Sequence, residues 1–397
     1  MPRLDIGRCK LPSWLEWWAP FPSKQSDSMV DETSGSPESA RLRAAVECFE
    51  EPLLQISLGA AKAVQRAAMV DGRAVIELVL GIPTGGYAAV LGPALHRHLA
   101  AAGFVLPIDL SLNSSIEQHA VQRQLKPLAG IRNIVAVASG KGGVGKSTVA
   151  VNLALAWAAQ GARVGILDAD IYGPSQPIML GLEGQRPTAL ENKRIIPLKA
   201  HGIVAMSIGF LIDPKQPMVW RGPMVTQALT QLLADTDWGQ LDYLVVDMPP
   251  GTGDIQLTLS QRVPVAGAVI VTTPQDIALA DARKGLAMFE KVNVPVLGVI
   301  ENMSVHVCSN CGHIEHLFGA GGGARMAAEY GVELLGELPL DARIRAETDG
   351  GIPTVVAAPS SPHAAPYFEA ARRTAAALAR RARDRSSMFP KIVVEES

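Results

Sequence analysis

The run Gly140-Lys141-Gly142-Gly143-Val144-Gly145-Lys146-Ser147-Thr148 fits G-x-x-x-x-G-K-[ST], a spacing that closes backbone N–H groups around the phosphates of a nucleotide such as ATP. In that arrangement Lys146 neutralises the β- and γ-phosphates, Ser147 ligates Mg²⁺, and the helix that follows adds its positive dipole end. Two acidic segments complete such a site: Asp168-Ala169-Asp170, and Asp247 followed by Met248-Pro249-Pro250-Gly251-Thr252-Gly253-Asp254. Asp247 is expected to hold Mg²⁺ or its water, the Gly251 backbone to approach a γ-phosphate, and Asp170 to orient an attacking water. Asp168 and Asp254 read equally well as supports of that site or as helix caps.

A second chemistry resides in Cys308-Ser309-Asn310-Cys311, whose thiolates are close enough to share one metal but supply only two ligands. Two symmetric pairs meeting at a twofold axis would give four thiolates, enough for a [4Fe-4S] cluster or a zinc ion. Within one chain, His306, His313 and His316 are the alternative source, giving a Cys₂His₂ zinc knuckle, and spacing alone favours zinc. A redox dithiol fits least, because the pair does not open a helix in a thioredoxin-like unit. Cys9 and Cys48 stand alone and read as incidental thiols.

The elements that must position these residues are short aliphatic runs at 134–138, 164–167, 203–208, 243–246, 268–272 and 296–300, alternating with helical segments. Runs without period-2 alternation belong to strands buried on both faces, so the fold class is α/β, a doubly wound, mostly parallel sheet. The glycine-rich loop lies between the first run and a helix expected over Val149 to Gln160, as phosphate binding requires. A small α+β unit precedes it, with helices expected at 40–49, 60–68 and 87–102 and strands at 74–80 and 104–112. The expected organisation is a flexible extension (1–39), the small unit (40–113), a linker (114–133), the P-loop ATPase region (134–385) and a tail (386–397).

The chain has 397 residues with 48% apolar and 19% charged residues, which excludes a disordered or fibrous class. A net charge of −2 argues against a general affinity for nucleic acid or anionic lipid. The uncharged stretch Leu78 to Leu95 is broken by Gly81, Pro83, Gly85, Gly86, Gly92 and Pro93, so no membrane span is expected there. Without a secretory signal, the expected location is the cytoplasm. Trp14, Trp17 and Trp18 interrupt the Pro- and Ser-rich extension as an aromatic cluster suited to docking on a partner or on the chain's own body.

Lys141, directly after the first glycine of the loop, is not demanded by the ordinary P-loop pattern. With it, the motif resembles the deviant Walker A of the family that includes MinD, ParA and the nitrogenase iron protein. The resemblance implies that Lys141 reaches the phosphates of a second subunit, and hence a homodimer. Asp168 to Ser175, Trp220-Arg221-Gly222-Pro223-Met224, Asp247 to Asp254, and Asn302-Met303-Ser304 followed by Cys308 to His313 resemble the Mrp/ApbC iron-sulfur cluster carrier branch. The match runs from about Ile134 to Pro353. The preceding unit stands where that branch carries a domain of the iron-sulfur assembly type, with Glu51-Pro52 in place of the expected Asp-Pro. The resemblance further implies a labile [4Fe-4S] cluster bridging Cys308 and Cys311 of two protomers, and an adenine-reading Asn302, with Pro339-Leu340-Asp341 as the other wall of the base pocket.

The function so implied is an ATP hydrolase that uses nucleotide-driven conformational change to accept clusters from donors and pass them to apoproteins, with no nucleic acid or membrane partner. The competing reading is a MinD/ParA-like positioning ATPase with a structural zinc. Its best support is the arginine- and alanine-rich stretch Pro366 to Arg385, which reads as a solvated terminal helix rather than a membrane anchor. A reductase like the nitrogenase iron protein fits less well, since that family uses widely separated single cysteines.

Overall fold

The structure is a computed structural model of the chain, described here over residues 36–122, 125–190, 194–211 and 222–381. The extension with Cys9 and the three clustered tryptophans, Trp220, Arg221, Arg383, Arg385 and the tail 386–397 lie outside the described residues.

The small unit contains α1 (Pro37–Cys48), β1 (Val64–Val70), β2 (Arg73–Leu80), α2 (Ala88–Ala101) and β3 (Ile108–Ser114). β1 and β2 are antiparallel, and β3 runs parallel to β2. The helix expected at 60–68 is not formed; most of that stretch belongs to strand β1. Its cause is a bulge between Val64 and Arg66, which brings Ala63, Val64, Ala67 and Ala68 inward together and imitates a helical spacing. The hairpin signal was Asp71-Gly72, both left-handed with φ of 48° and 74°, the geometry of a two-residue turn. β3 starts later than expected because Pro107 precedes it and has no N–H to donate, while Phe104 is used to cover the end of α2.

The larger sheet contains β4 (Ile131–Ala138), β5 (Val164–Asp168), β6 (Leu198–Ala200), β7 (Ile203–Ser207), β8 (Leu241–Asp247), β9 (Gly267–Thr272), β10 (Val296–Glu301) and a later edge strand at Glu333–Glu337. Its eight strands lie in the order β6-β7-β5-β8-β4-β9-β10 and then 333–337, all parallel except the short β6. Every residue of β5, β8 and β9 is buried, which is why these strands read as continuous apolar runs. The two edge strands were not expected from the sequence: β6 is three residues long and 333–337 is only half-buried, so neither carries a strong apolar run. Helix α3 (Lys146–Ala159) fills the space beside the central strands. Its Trp157 is fully buried and stacks on Tyr243 of β8.

Over residues 366–379 the alanine-rich C-terminal stretch forms a packed helix and not a solvated one. Helix Ala365–Ala379 buries Tyr367, Ala370, Ala371, Thr374, Ala375 and Ala376 against α3 and strand 333–337. Its small side chains permit close approach: a Cβ on Gly336 would lie 2.9 Å from that of Ala370, and the Trp157 indole N–H donates to the Ala371 carbonyl at 2.7 Å. Arg380 closes the helix by bonding the Leu53 carbonyl and Glu333, tying the small unit to the large sheet.

Candidate functional site

Strands β4, β5 and β8 are neighbours, so their C-terminal ends converge and leave the loops that follow them in one crevice, where open α/β sheets bind ligands. The glycine-rich loop leaves β4 and enters α3 through Gly145, which is left-handed at φ 78° and leaves no room for a side chain, since a Cβ would collide with the Asn302 amide. Gly140 is equally constrained, because a Cβ there would strike the Asp281 backbone. By contrast, nothing lies within 4 Å of where a Cβ would sit on Gly143 or Gly251. The Gly251 amide donates to the Ser139 carbonyl at 3.0 Å, which brings the segment after β8 against the loop.

Lys146 is buried, ion-pairs with the fully buried Asp247 and lies 3.1 Å from the Ser147 hydroxyl. Asp247 and Asp168 are register partners on adjacent strands, and Ser207 is the partner of Asp168 on its other side. Asp168 accepts hydrogen bonds from the Asp170 and Gln176 amides and the Ser207 hydroxyl, each at 3.1 Å. Burial, reinforced by the Asp247 charge, nevertheless pushes its carboxyl up to about 7. Asp170 is half-buried and also raised by burial, with the Lys146 ammonium opposing the shift. One ammonium thus faces three carboxylates, and the hard oxygen donors Ser147 and Asp247 sit beside it. This composition suits Mg²⁺, which takes one or two protein ligands and leaves the rest to phosphate and water.

Gln176 is a site residue the sequence reading missed: its amide nitrogen donates to Asp247 at 2.9 Å and to the Ser147 carbonyl at 3.2 Å. The one available signal was its place directly after Asp168-Ala169-Asp170-Ile171-Tyr172-Gly173-Pro174-Ser175. The Lys141 side chain has no hydrogen bond or ion pair among the described residues, and Asp254 is exposed at the start of helix Asp254–Arg262. Asn302 is buried and donates from its side-chain amide to the Val144 carbonyl at 2.9 Å, so here it braces the phosphate loop. Pro339-Leu340-Asp341 runs alongside, with the Leu340 amide on the Val305 carbonyl.

A few residues beyond Asn302, the chain rises into a hairpin of β11 (His306–Val307) and β12 (Ile314–Glu315). Its tip is the cysteine turn, closed by Cys308 N–H to the His313 carbonyl and Gly312 N–H to the Cys308 carbonyl, both 2.9 Å. Backbone N–H groups of Cys311 and Asn310 point at the Cys308 sulfur and hold its thiol below the usual range, which favours the thiolate that binds metal. Cys311 is exposed and Cys308 half-buried. The three histidines do not join them: His306 and His316 bond the Leu340 and Ser304 carbonyls through Nδ1 at 3.0 Å, and His313 is exposed. Among the described residues no group of three His, Cys, Asp or Glu side chains is placed to hold a metal, so the single-chain Cys₂His₂ knuckle is not formed. No described helix is long and apolar enough to cross a membrane.

Residues 130–375 match the family model described as "ParA: NUBPL iron-transfer P-loop NTPase". Among curated proteins, the chain is 64% identical over 263 residues to the iron-sulfur cluster carrier protein of Pseudomonas fragi, covering 66% of this chain and 92% of that one. It is 50% identical over 345 residues to the protein of the same name from Escherichia coli K12, covering 86% and 94%. Among solved structures, a nucleotide-binding protein from Archaeoglobus fulgidus in complex with ADP aligns with a TM-score of 0.53 at 39% identity, covering 60% of this chain and 93% of that one. A strand–glycine loop–helix with Lys141 and Lys146, followed by an exposed cysteine hairpin, is therefore found where the family match lies: the chain belongs to the NUBPL iron-transfer family of ParA-type P-loop NTPases.

Proposed function

We propose that the protein is an ATP-dependent iron-sulfur cluster carrier that works as a homodimer, receiving a [4Fe-4S] cluster from a donor and passing it to apoproteins. The observation that carries this reading is the wiring of one loop: Asn302 holds the Val144 carbonyl of the phosphate loop, and the same segment leads within a few residues to Cys308. A change in the loop on nucleotide binding or hydrolysis is thereby transmitted to the cysteine turn. Because one chain presents two thiols with no third ligand among the described residues, a four-thiolate site calls for a second protomer.

The names of the curated relatives and the ADP of the archaeal relative support the cargo and the nucleotide. On this reading ATP lies along the glycine loop with Asn302 and Pro339-Leu340-Asp341 beside its base. Lys146 turns from Asp247 to the β/γ-phosphates, and Lys141 reaches the partner's nucleotide. Ser147 and Asp247 would hold Mg²⁺, which would neutralise phosphate charge when bound. Asp170 positions the water that attacks the γ-phosphorus, releasing phosphate and leaving ADP. A positioning ATPase has no use for an exposed thiol pair with a depressed Cys308 thiol.

The test is anaerobic reconstitution with iron and sulfide. One four-iron chromophore per two chains, lost in air, transferred to an apoprotein and retained by the His313→Ala/His316→Ala double variant, is expected. One zinc per chain, with no cysteine-dependent chromophore, would overturn the carrier reading.

A further inference from the structure

A groove of about 760 Å³ runs between the small unit and the nucleotide-binding body, lined among others by Leu53, Tyr87, Val90, Ala94, Phe368 and Arg372. That volume is in the range that takes a few large apolar groups. Its floor is rigid: the Gly85 amide bonds the Gln160 carbonyl at 2.9 Å, and Tyr87 is buried with its hydroxyl on Glu51. Its rim exposes apolar surface, with Val90 58% accessible on the first turn of α2.

One charge in the groove is left over. Arg372 lies with its guanidinium 5.2 Å from the Tyr87 ring centroid, makes no ion pair among the described residues, and has a buried Nε with no hydrogen-bond partner. A buried donor of this kind costs stability unless something accepts from it. The occupant that fits is therefore a segment with large apolar side chains around one carboxylate.

The chain contains that segment: Trp14-Leu15-Glu16-Trp17-Trp18 places Glu16 among three tryptophans and a leucine. We propose that this segment docks intramolecularly in the groove, its tryptophans on Val90, Ala94 and Phe368 and Glu16 on Arg372. Reach permits it. Helix α1 runs from Pro37 to Cys48, about 18 Å, and delivers the chain to Glu51 and Leu53 at the groove, so Ser36 stands roughly that far away. Residues 19–35 can span up to ~60 Å. Tethering raises the local concentration of the segment to the order of millimolar, so modest intrinsic affinity suffices. The docked segment bridges α2 of the small unit and the C-terminal helix, and so braces that unit against the far end of α3.

Tryptophan emission and acrylamide quenching of the full chain test this, since three of its six tryptophans lie in the segment while Trp157 and Trp238 are buried in the body. Val90→Asp places a charge on an exposed helix position and should leave the far-UV circular dichroism unchanged while lowering the docked-to-free ratio about tenfold or more, seen as red-shifted emission and stronger quenching. Arg372→Gln should give a smaller change in the same direction. The triple variant W14S/W17S/W18S should speed amide exchange in residues 88–94 and 365–372. Emission and quenching identical in wild type and Val90→Asp would overturn the proposal. So would protection that grows with protein concentration, which would assign the groove to the segment of a second copy.

Discussion

At the phosphate loop the charged groups are buried and already partnered: Lys146 on Asp247, Asp247 on Gln176, and Asp168 on two backbone amides and Ser207. At the cysteine hairpin the reverse holds, with Cys311 exposed, Cys308 half-exposed, and the nearby histidines turned to backbone carbonyls. The first region is organised before any ligand arrives, so its chemistry depends on one chain's packing. The second presents two thiols on a short ribbon that the core does not cover. Buried polar groups without partners cost several kcal/mol, so a site inside the sheet must be satisfied within the fold. An exposed thiol is solvated and needs no partner within the fold.

This contrast can be broken most severely at Lys146. Lys146→Ala should lower ATP hydrolysis by at least about 10³-fold, measured by phosphate release, because the phosphate charge is left uncompensated. It also strands a fully buried carboxylate, so chemical denaturation should show a loss of about 3–5 kcal/mol. Near-normal turnover would remove the phosphate-loop reading. Cys308→Ser and Cys311→Ser should each abolish the visible chromophore of the reconstituted protein. Because both positions lie on an exposed turn, stability should change by less than about 0.5 kcal/mol and nucleotide affinity should be retained. Parallel loss of cluster and nucleotide binding would mean that the two regions are not separable.

Lys141→Ala sharpens the boundary between them. Its side chain makes no polar contact within the chain's described part, so ATP should still bind while hydrolysis falls by about 10²–10³-fold, the size of one lost charge-stabilising donor. If binding falls as far as turnover, the lysine acts within its own loop. The smallest effect is a titration. Asp168 has an ordinary value of 3.8 and is pushed up to about 7 when folded, so between those values the folded chain keeps a proton the unfolded chain has lost. Its contribution to stability is full below about pH 4 and is lost as the pH rises to about 7. Asp168→Asn should flatten that dependence in nucleotide-free protein by up to about 1.4 kcal/mol per pH unit. Equal slopes in variant and wild type would show that the hydrogen bonds to Asp168 outweigh its burial.

The amino-acid sequence by itself determined the central strands and the phosphate loop, because both are written in consecutive residues: apolar runs for strands buried on two faces, and glycines, lysine and serine at fixed offsets. It also singled out Asp170, Asp247, Asn302 and the cysteine pair as chemistry, and left Asp168 between a support of the site and a helix cap. The reading misplaced residues 60–68 because a bulge shifts the inward-facing positions of β1, and it left the alanine-rich helix in solvent because alanine carries too little apolar surface to announce a packed face. Only the tertiary structure decided which of the singled-out residues meet. Parallel pairing of β5 with β8 sets Asp168 beside Asp247, a turn after β5 swings Gln176 onto both, and the loop after β10 hooks Asn302 over Val144. It also turned His306 and His316 away from the cysteines. The physical reason is range: local spacing encodes periodicity and turn chemistry, whereas sheet register and the burial of polar groups are set by residues distant in sequence, whose pairing is fixed only when the whole core closes.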